Sequence, residues 1–247
     1  MKKTIIISLI ITLLTGCKAN TETITVLTST GYEPYEMVDT NGELSGFDIE
    51  LFEALAQETG YEIKWKDVSF DGIIAALQAN QADAAIAGIT PSNSRKEKVD
   101  FSNTYYNSED GLINYLIVMN DSSITGVSDL EAKVLGAQLG TIQADLVEEI
   151  KSIYNFETDL RNINAQIIQE LKSGRIDALV VESAVADSIL DSENTFKKVL
   201  LEVSSESITG NAIAFPKDSN LTQDFNNALE TLKSNGKLKE LVDKWFN

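Results

Sequence analysis

Thr90 and Arg95 follow an apolar run, Ala84 to Ala87, that reads as a buried strand closed by Gly88. A guanidinium can give a carboxylate two parallel hydrogen bonds, and a threonine hydroxyl can add another donor. Gln138, Gly140 and Thr141 follow a second short strand, at Val134, and lead into the helical pattern Leu146-Val147-Ile150. The start of that helix offers backbone N–H groups and the positive end of a dipole to the same anion. Glu182 closes a third run, Ala178 to Val181, and brings the opposite charge, suited to an ammonium. Tyr32, leaving the first strand, and Phe70, just before the helix of Ile73, Ile74 and Leu77, supply aromatic faces for an elongated or cationic side chain. Carboxylate, ammonium and side chain together describe a free α-amino acid. Taken singly, each residue has a plainer reading. Arg95 opens the charge run Arg95-Lys96-Glu97-Lys98, which suits a solvated helix face; Glu182 could cap the helix beginning near Ser183; Tyr32 and Phe70 could be core.

Strand-like runs alternating with helical patterns predict an α/β architecture with largely parallel sheets, and in such sheets ligands gather at the carboxyl ends of the strands. Ile24 to Leu27 reads as the first strand and Gly31 to Ser45 as a loop. A helix follows with Asp48 as its N-cap, an apolar stripe at Leu51, Phe52, Leu55 and Ala56, and Gly60 as its stop; Tyr61 to Trp65 then alternates like a strand. Ile74, Leu77, Asp83 and Ala84 recur as Ile168, Leu171, Asp177 and Ala178, each 94 positions later. Both copies read helix, turn, Asp-Ala and buried strand, and Val26-Leu27 and Val134-Leu135 correspond more loosely. Two α/β lobes of similar plan are expected, with the ligand between them. The C-terminal segment reads as two helices, one with Phe225, Leu229 and Leu232, the other with Leu238, Leu241, Val242 and Trp245.

The chain has 247 residues, 43% of them apolar and 23% charged, an ordinary globular composition. With 20 Lys+Arg against 38 Asp+Glu the net charge is −18, which argues against nucleic acid as a partner. There is no histidine, so imidazole bases and His-ligated metals are excluded, and one cysteine, Cys17, allows neither an internal disulfide nor a cysteine metal cluster. No metal and no cofactor are expected. Lys2 and Lys3 precede an apolar run, Ile5 to Leu14, shorter than the roughly 20 residues of a membrane-spanning helix. Leu14-Thr15-Gly16-Cys17 closes the run and resembles the lipobox of bacterial lipoproteins, in which the cysteine is lipidated and becomes the mature N-terminus. The expectation is an exported protein, tethered at the outer (periplasmic or cell-surface) side of a membrane.

A longer resemblance runs from about residue 24 to the C-terminus. Gly46-Phe47-Asp48-Ile49-Glu50-Leu51, Phe70 to Leu77, Ala87-Gly88-Ile89-Thr90 with Arg95, Val99 to Ser102, Tyr105-Tyr106, Gln138 to Thr141, Asp177-Ala178 with Glu182, Ala214 to Lys217 and Lys244 to Phe246 are similar to the polar amino-acid-binding proteins of ABC importers. That family is solute-binding protein family 3, with the two-lobed type II periplasmic-binding-protein fold. The resemblance implies that Arg95, Thr90 and the backbone of Gly140 to Ile142 take the α-carboxylate. By the same resemblance Gly88 and Glu182 take the ammonium, and Tyr32 and Phe70 pack on the side chain. Gln138, Thr141 and Ile142 join the expected ligand-binding set, and Ser29 and Gln143 are specificity positions. Three departures stand out. Ser29 replaces an aspartate of many relatives, Ile142 replaces Ser or Thr, and Glu182 replaces the commoner aspartate.

The expected organisation is a lipoprotein signal peptide at 1–16, lipidated Cys17 and a tether at 17–23, one lobe from 24–106 and 210–247, and a second from 107–209. The chain should cross between lobes near Tyr106–Ser108 and Ser207–Asn211. The function implied is a non-catalytic, monomeric receptor that closes on a free amino acid, best arginine or another basic one, and delivers it to ABC permease subunits. Glutamine is the alternative ligand. A cyclohexadienyl-dehydratase-like enzyme on the same fold is the alternative of another class.

Overall fold

A computed structural model describes residues 22–107, 113–203 and 210–246. Cys17, the signal peptide, most of the expected tether, Ser108 and residues 207–209 of the expected crossings lie outside them.

The first sheet comes from both ends of the chain. Strand β1 (Thr23–Thr28) starts at the last residue of the expected tether, and the expected loop that follows carries a small hairpin, β2 (Met37–Val38) and β3 (Leu44–Ser45). Helix α1 (Phe47–Thr59) ends at Gly60 in the left-handed conformation, as its sequence predicts. Its N-cap is Gly46, not Asp48. Asp48 sits within the first turn with its side chain turned away from its own helix, onto the Gly88 N–H at 2.7 Å. Strand β4 (Glu62–Asp67), helix α2 (Ile73–Gln78), strand β5 (Ala84–Ala85), helix α3 (Asn93–Lys96) and strand β6 (Asp100–Phe101) follow.

The second sheet is built from β7 (Asn114–Met119), β8 (Val134–Gln138), α4 (Ile142–Tyr154), β9 (Glu157–Arg161), α5 (Asn164–Lys172), β10 (Ala178–Glu182), α6 (Ser183–Ser192) and β11 (Phe196–Leu200). The chain then returns to the first sheet with β12 (Ala214–Phe215) and ends in α7 (Leu221–Ser234) and α8 (Lys237–Phe246).

Strand orders are β4-β1-β5-β12-β6 and β9-β8-β10-β7-β11, so the two sheets share one plan. In each, three parallel strands are joined by a strand that arrives from elsewhere in the chain and runs antiparallel. The expectation of largely parallel sheets therefore holds for β1, β4, β5 and for β8, β9, β10, and fails at β6, β7, β11 and β12, the strands adjoining the crossings.

The internal repeat has a physical cause. Asp83 accepts a hydrogen bond from the Thr25 N–H at 2.7 Å, and Asp177 accepts one from the Val134 N–H at 2.8 Å. Each aspartate thus ties the turn before its strand to the start of the neighbouring strand, which fixes the register of both. Helices α1 and α7 cover one face of the first sheet, where Phe52 packs between Trp65 and Phe225 with ring centroids at 5.5 and 4.9 Å. Ile73 and Leu77 of α2 cover the other face against Leu27 and Ala85. In the second sheet Leu146, Val147 and Ile150 of α4 pack on Leu135, Ala137 and Val180.

Two stretches of chain run side by side between the sheets. The Asn211 N–H donates to the Tyr106 carbonyl at 2.8 Å, and the Tyr105 N–H donates to the Asn211 carbonyl at 2.9 Å.

Candidate ligand-binding cleft

A cleft opens between the carboxyl ends of the two sheets. It is lined by Tyr32, Phe70, Gly88, Thr90 and Arg95 from the first half and by Gln138, Thr141, Ile142, Gln143 and Glu182 from the second. The structure therefore brings together each of the expected ligand-binding residues and Gln143. Ser29 is buried at the end of β1 and does not line the cleft.

Arg95 is 8% exposed, so the charge run it opens is not a solvated face at this residue. Its Nη1 donates to the Thr90 carbonyl at 2.7 Å and its Nη2 to the Gly140 carbonyl at 2.9 Å. One guanidinium thus joins the two halves of the molecule. A guanidinium has five N–H donors, so three remain for another acceptor. Its centre also lies 5.4 Å from the Phe70 ring centroid, a cation–π distance. Burial pulls the group down to about 10, with Asp145 and Tyr32 opposing, and it stays cationic at neutral pH.

Thr141 is the N-cap of α4, and its hydroxyl accepts from the Ala144 N–H at 3.1 Å while donating to the Gln138 carbonyl at 2.6 Å. The single donor of that hydroxyl is thus used, so what the helix start offers an anion is the N–H groups of its first turn, which lack partners within the helix. Gly140, at φ +80, makes the approach possible. A Cβ there would sit 2.8 Å from the Asp71 Cα in the other half.

Glu182 is 4% exposed and stands at the N-cap position of α6, but makes no side-chain capping bond, which removes its plainer reading. Among the described residues its Oε1 has no hydrogen-bond partner. Burial pushes the carboxyl up to about 7; a hydrogen bond from Tyr35 opposes this, and the charge of Asp48 adds to it. A buried acid with an open oxygen at a cleft is suited to a cationic partner. Tyr32 stacks on Tyr35 with centroids at 5.7 Å and planes 19° apart.

A set of amides shapes the rest. Asn164 Nδ2 donates to Gln138 Oε1 at 3.0 Å and reaches the Gly31 carbonyl across the cleft at 3.5 Å, while Gln143 Nε2 donates to Asn114 Oδ1 at 3.0 Å. Sequence reasoning missed Asn114, Asn164 and the part played by Tyr35. An asparagine opening a helix reads as local capping, and nothing in its neighbours signals a contact across the molecule.

Residues 24–125 and 135–247 match the family described as bacterial extracellular solute-binding proteins, family 3. Over 232 residues the chain is 38% identical to the arginine-binding extracellular protein ArtP of Bacillus subtilis (strain 168), covering 94% of this chain and 89% of that one. The structure is similar to an ancestral arginine-binding protein bound to arginine, with TM-score 0.83 and 34% identity over 91% of this chain and 98% of that one. It is also similar to an ancestral arginine-binding protein bound to glutamine, with TM-score 0.81 and 35% identity over 91% and 97%. The paired sheets form the two-lobed type II periplasmic-binding-protein fold. A family match across nearly the whole described chain, on a cleft whose walls come from both lobes, settles the kinship: the chain belongs to the bacterial extracellular solute-binding proteins of family 3.

Proposed function

We propose that this exported receptor takes a basic amino acid, arginine first, into the cleft by closing two lobes, 24–106 with 210–247 and 107–209, and hands it to an ABC permease. The paired segments near Tyr106 and Asn211 serve as its hinge. Cys17 carries the lipid that holds it at the membrane, and the mature receptor acts as a monomer. The observation carrying the reading is the Arg95 guanidinium, bound to carbonyls of both halves on the wall of a cleft that also holds an open, buried Glu182. Arg95, Thr90 and the first turn of α4 hold the carboxylate, while Glu182 and Gly88 hold the ammonium. Tyr32 and Phe70 flank the side chain, with Gln138, Gln143 and Ile142 along its path. Arginine is the ligand for which the Bacillus subtilis relative is named.

One observation favours glutamine as a second reading. Glu182 is the single acidic residue lining the cleft among the described residues, and Ser29 supplies no charge for a basic side-chain end. Thermal unfolding of a protein starting at Lys18, with each amino acid in turn, separates these ligands. A ligand present at 1,000 times its dissociation constant adds about 4 kcal/mol, a shift of several degrees. A shift with arginine supports the first reading and a shift with glutamine alone the second. No shift with any amino acid, together with turnover of prephenate or arogenate, would replace the receptor by an enzyme.

A further inference from the structure

Behind the cleft, and not lining it, lie two fully buried acids, Glu36 and Asp48. Asp48 Oδ2 accepts from the Gly88 N–H at 2.7 Å and from the Tyr105 hydroxyl at 2.9 Å. Among the described residues Asp48 Oδ1 and both carboxyl oxygens of Glu36 find no other donor, and the two side chains lie within hydrogen-bonding reach of each other. Two adjacent buried carboxylates would leave like charges unpaired in a low dielectric, whereas one shared proton satisfies both. Because Asp48 Oδ2 already takes two donors, Asp48 is the acceptor and Glu36 holds the proton.

The pair acts on the cleft through Gly88. This residue sits at φ +56 with its Cα against Tyr32, so that a Cβ would lie 3.2 Å from the Tyr32 ring. Tyr32 in turn stacks on Tyr35, with ring centroids at 5.7 Å. We propose that Asp48 and Glu36 are positioning residues of the cleft, a proton-sharing carboxyl pair that fixes the Gly88 peptide, and through it the Tyr32 ring, for the ammonium end of the ligand. This rests on the reading of the cleft as an amino-acid site.

The charged and titratable groups facing the pair are Glu182, Asp67, Tyr105 and Tyr32. Burial and the neighbouring acid hold Glu36 well above the usual carboxylate range, and burial pushes Asp48 up to about 7. Both are raised, so the folded state binds more protons than the unfolded chain. The stability of the ligand-free protein therefore falls as pH rises above the ordinary carboxylate range.

Two variants test this. Glu36→Gln keeps a donor to Asp48 and should bind arginine within about threefold of wild type at neutral pH, whereas Asp48→Ala frees Gly88 and should bind about 10- to 100-fold more weakly. Between about pH 5 and about pH 8 the unfolding midpoint of Glu36→Gln should rise relative to wild type by several degrees, because one raised titration has been removed. A difference that does not change with pH overturns the shared proton, and wild-type affinity in Asp48→Ala overturns the positioning role. If Asp48→Ala does not fold, Glu36→Leu takes its place: it should lose the affinity that Glu36→Gln retains, and equal affinities in the two would overturn the role. Wild-type protein that binds no amino acid refutes the reading of the cleft, while the pH series still decides whether the pair shares a proton.

Discussion

Glu182 sets a pH dependence on ligand binding that can be worked out in advance. Its carboxyl is buried and pushed up to about 7. A ligand ammonium favours the carboxylate, so affinity should follow the ionised fraction and rise with pH. That fraction is about nine-tenths at pH 8, about one-half at pH 7 and about one-hundredth at pH 5. Affinity for arginine should therefore fall about 90-fold from pH 8 to pH 5, or about 2.7 kcal/mol. Arg95, at about 10, keeps its charge throughout and contributes nothing to the slope. Calorimetric titration at each pH reads the affinity, and repeating it in buffers of different ionisation heat at pH 7 should show release of about half a proton. Asp48 titrates in the same range but does not line the cleft, so Glu182→Gln separates the two. In that variant the slope should disappear and binding at pH 8 should weaken by about 2 kcal/mol or more. Equal affinity at pH 5 and pH 8 in wild type, or an unchanged slope in Glu182→Gln, would refute the assignment of the ammonium to Glu182.

The same residue should trade stability for binding. Its folded value lies above the usual 4.5, so the ligand-free protein loses up to about 3 kcal/mol as pH rises through that window. Glu182→Gln should flatten this loss in denaturant titrations at pH 5 and pH 8. Arg95→Ala should fold, show its native circular dichroism spectrum and lose about 2–5 kcal/mol of arginine affinity by calorimetry, since a buried charge then lacks its partner. Gly140→Ala puts a Cβ 2.8 Å from the Asp71 Cα at φ +80. That contact lies between the lobes, so it should oppose closure more than folding, with strain of about 1–3 kcal/mol appearing as weaker binding and a more expanded small-angle scattering profile with ligand.

Much of the site was legible because its residues sit where short-range pattern and chemistry agree. Thr90, Arg95 and Thr141 follow an apolar strand and Gln138 and Glu182 end one, and strand ends are where an α/β fold collects its ligands. The repeat of Asp83 and Asp177 was readable for a similar reason, since both make the same turn-to-strand hydrogen bond. What escaped were the contacts made across long stretches of chain. Asp48 looks like a helix cap because its neighbours in sequence suggest nothing else, yet its partners are Gly88 and Tyr105. Glu36 lies in a segment that reads as a loop but is fully buried. Strands β6, β7, β11 and β12 were missed or taken as parallel because β6 and β12 are very short and direction depends on which lobe the chain is leaving. The covering of Arg95 by the Gly140 carbonyl depends on the two lobes being close, which no local pattern encodes.

The most direct test of the cleft is an equilibrium titration of wild-type protein with arginine and with agmatine, the same molecule lacking its carboxylate. Arginine should bind at one site, and agmatine should bind more weakly by about 2–5 kcal/mol, because Arg95 then faces the cleft without its anion. Equal affinity for the two, or no binding of arginine, glutamine or any other free amino acid, would contradict the account.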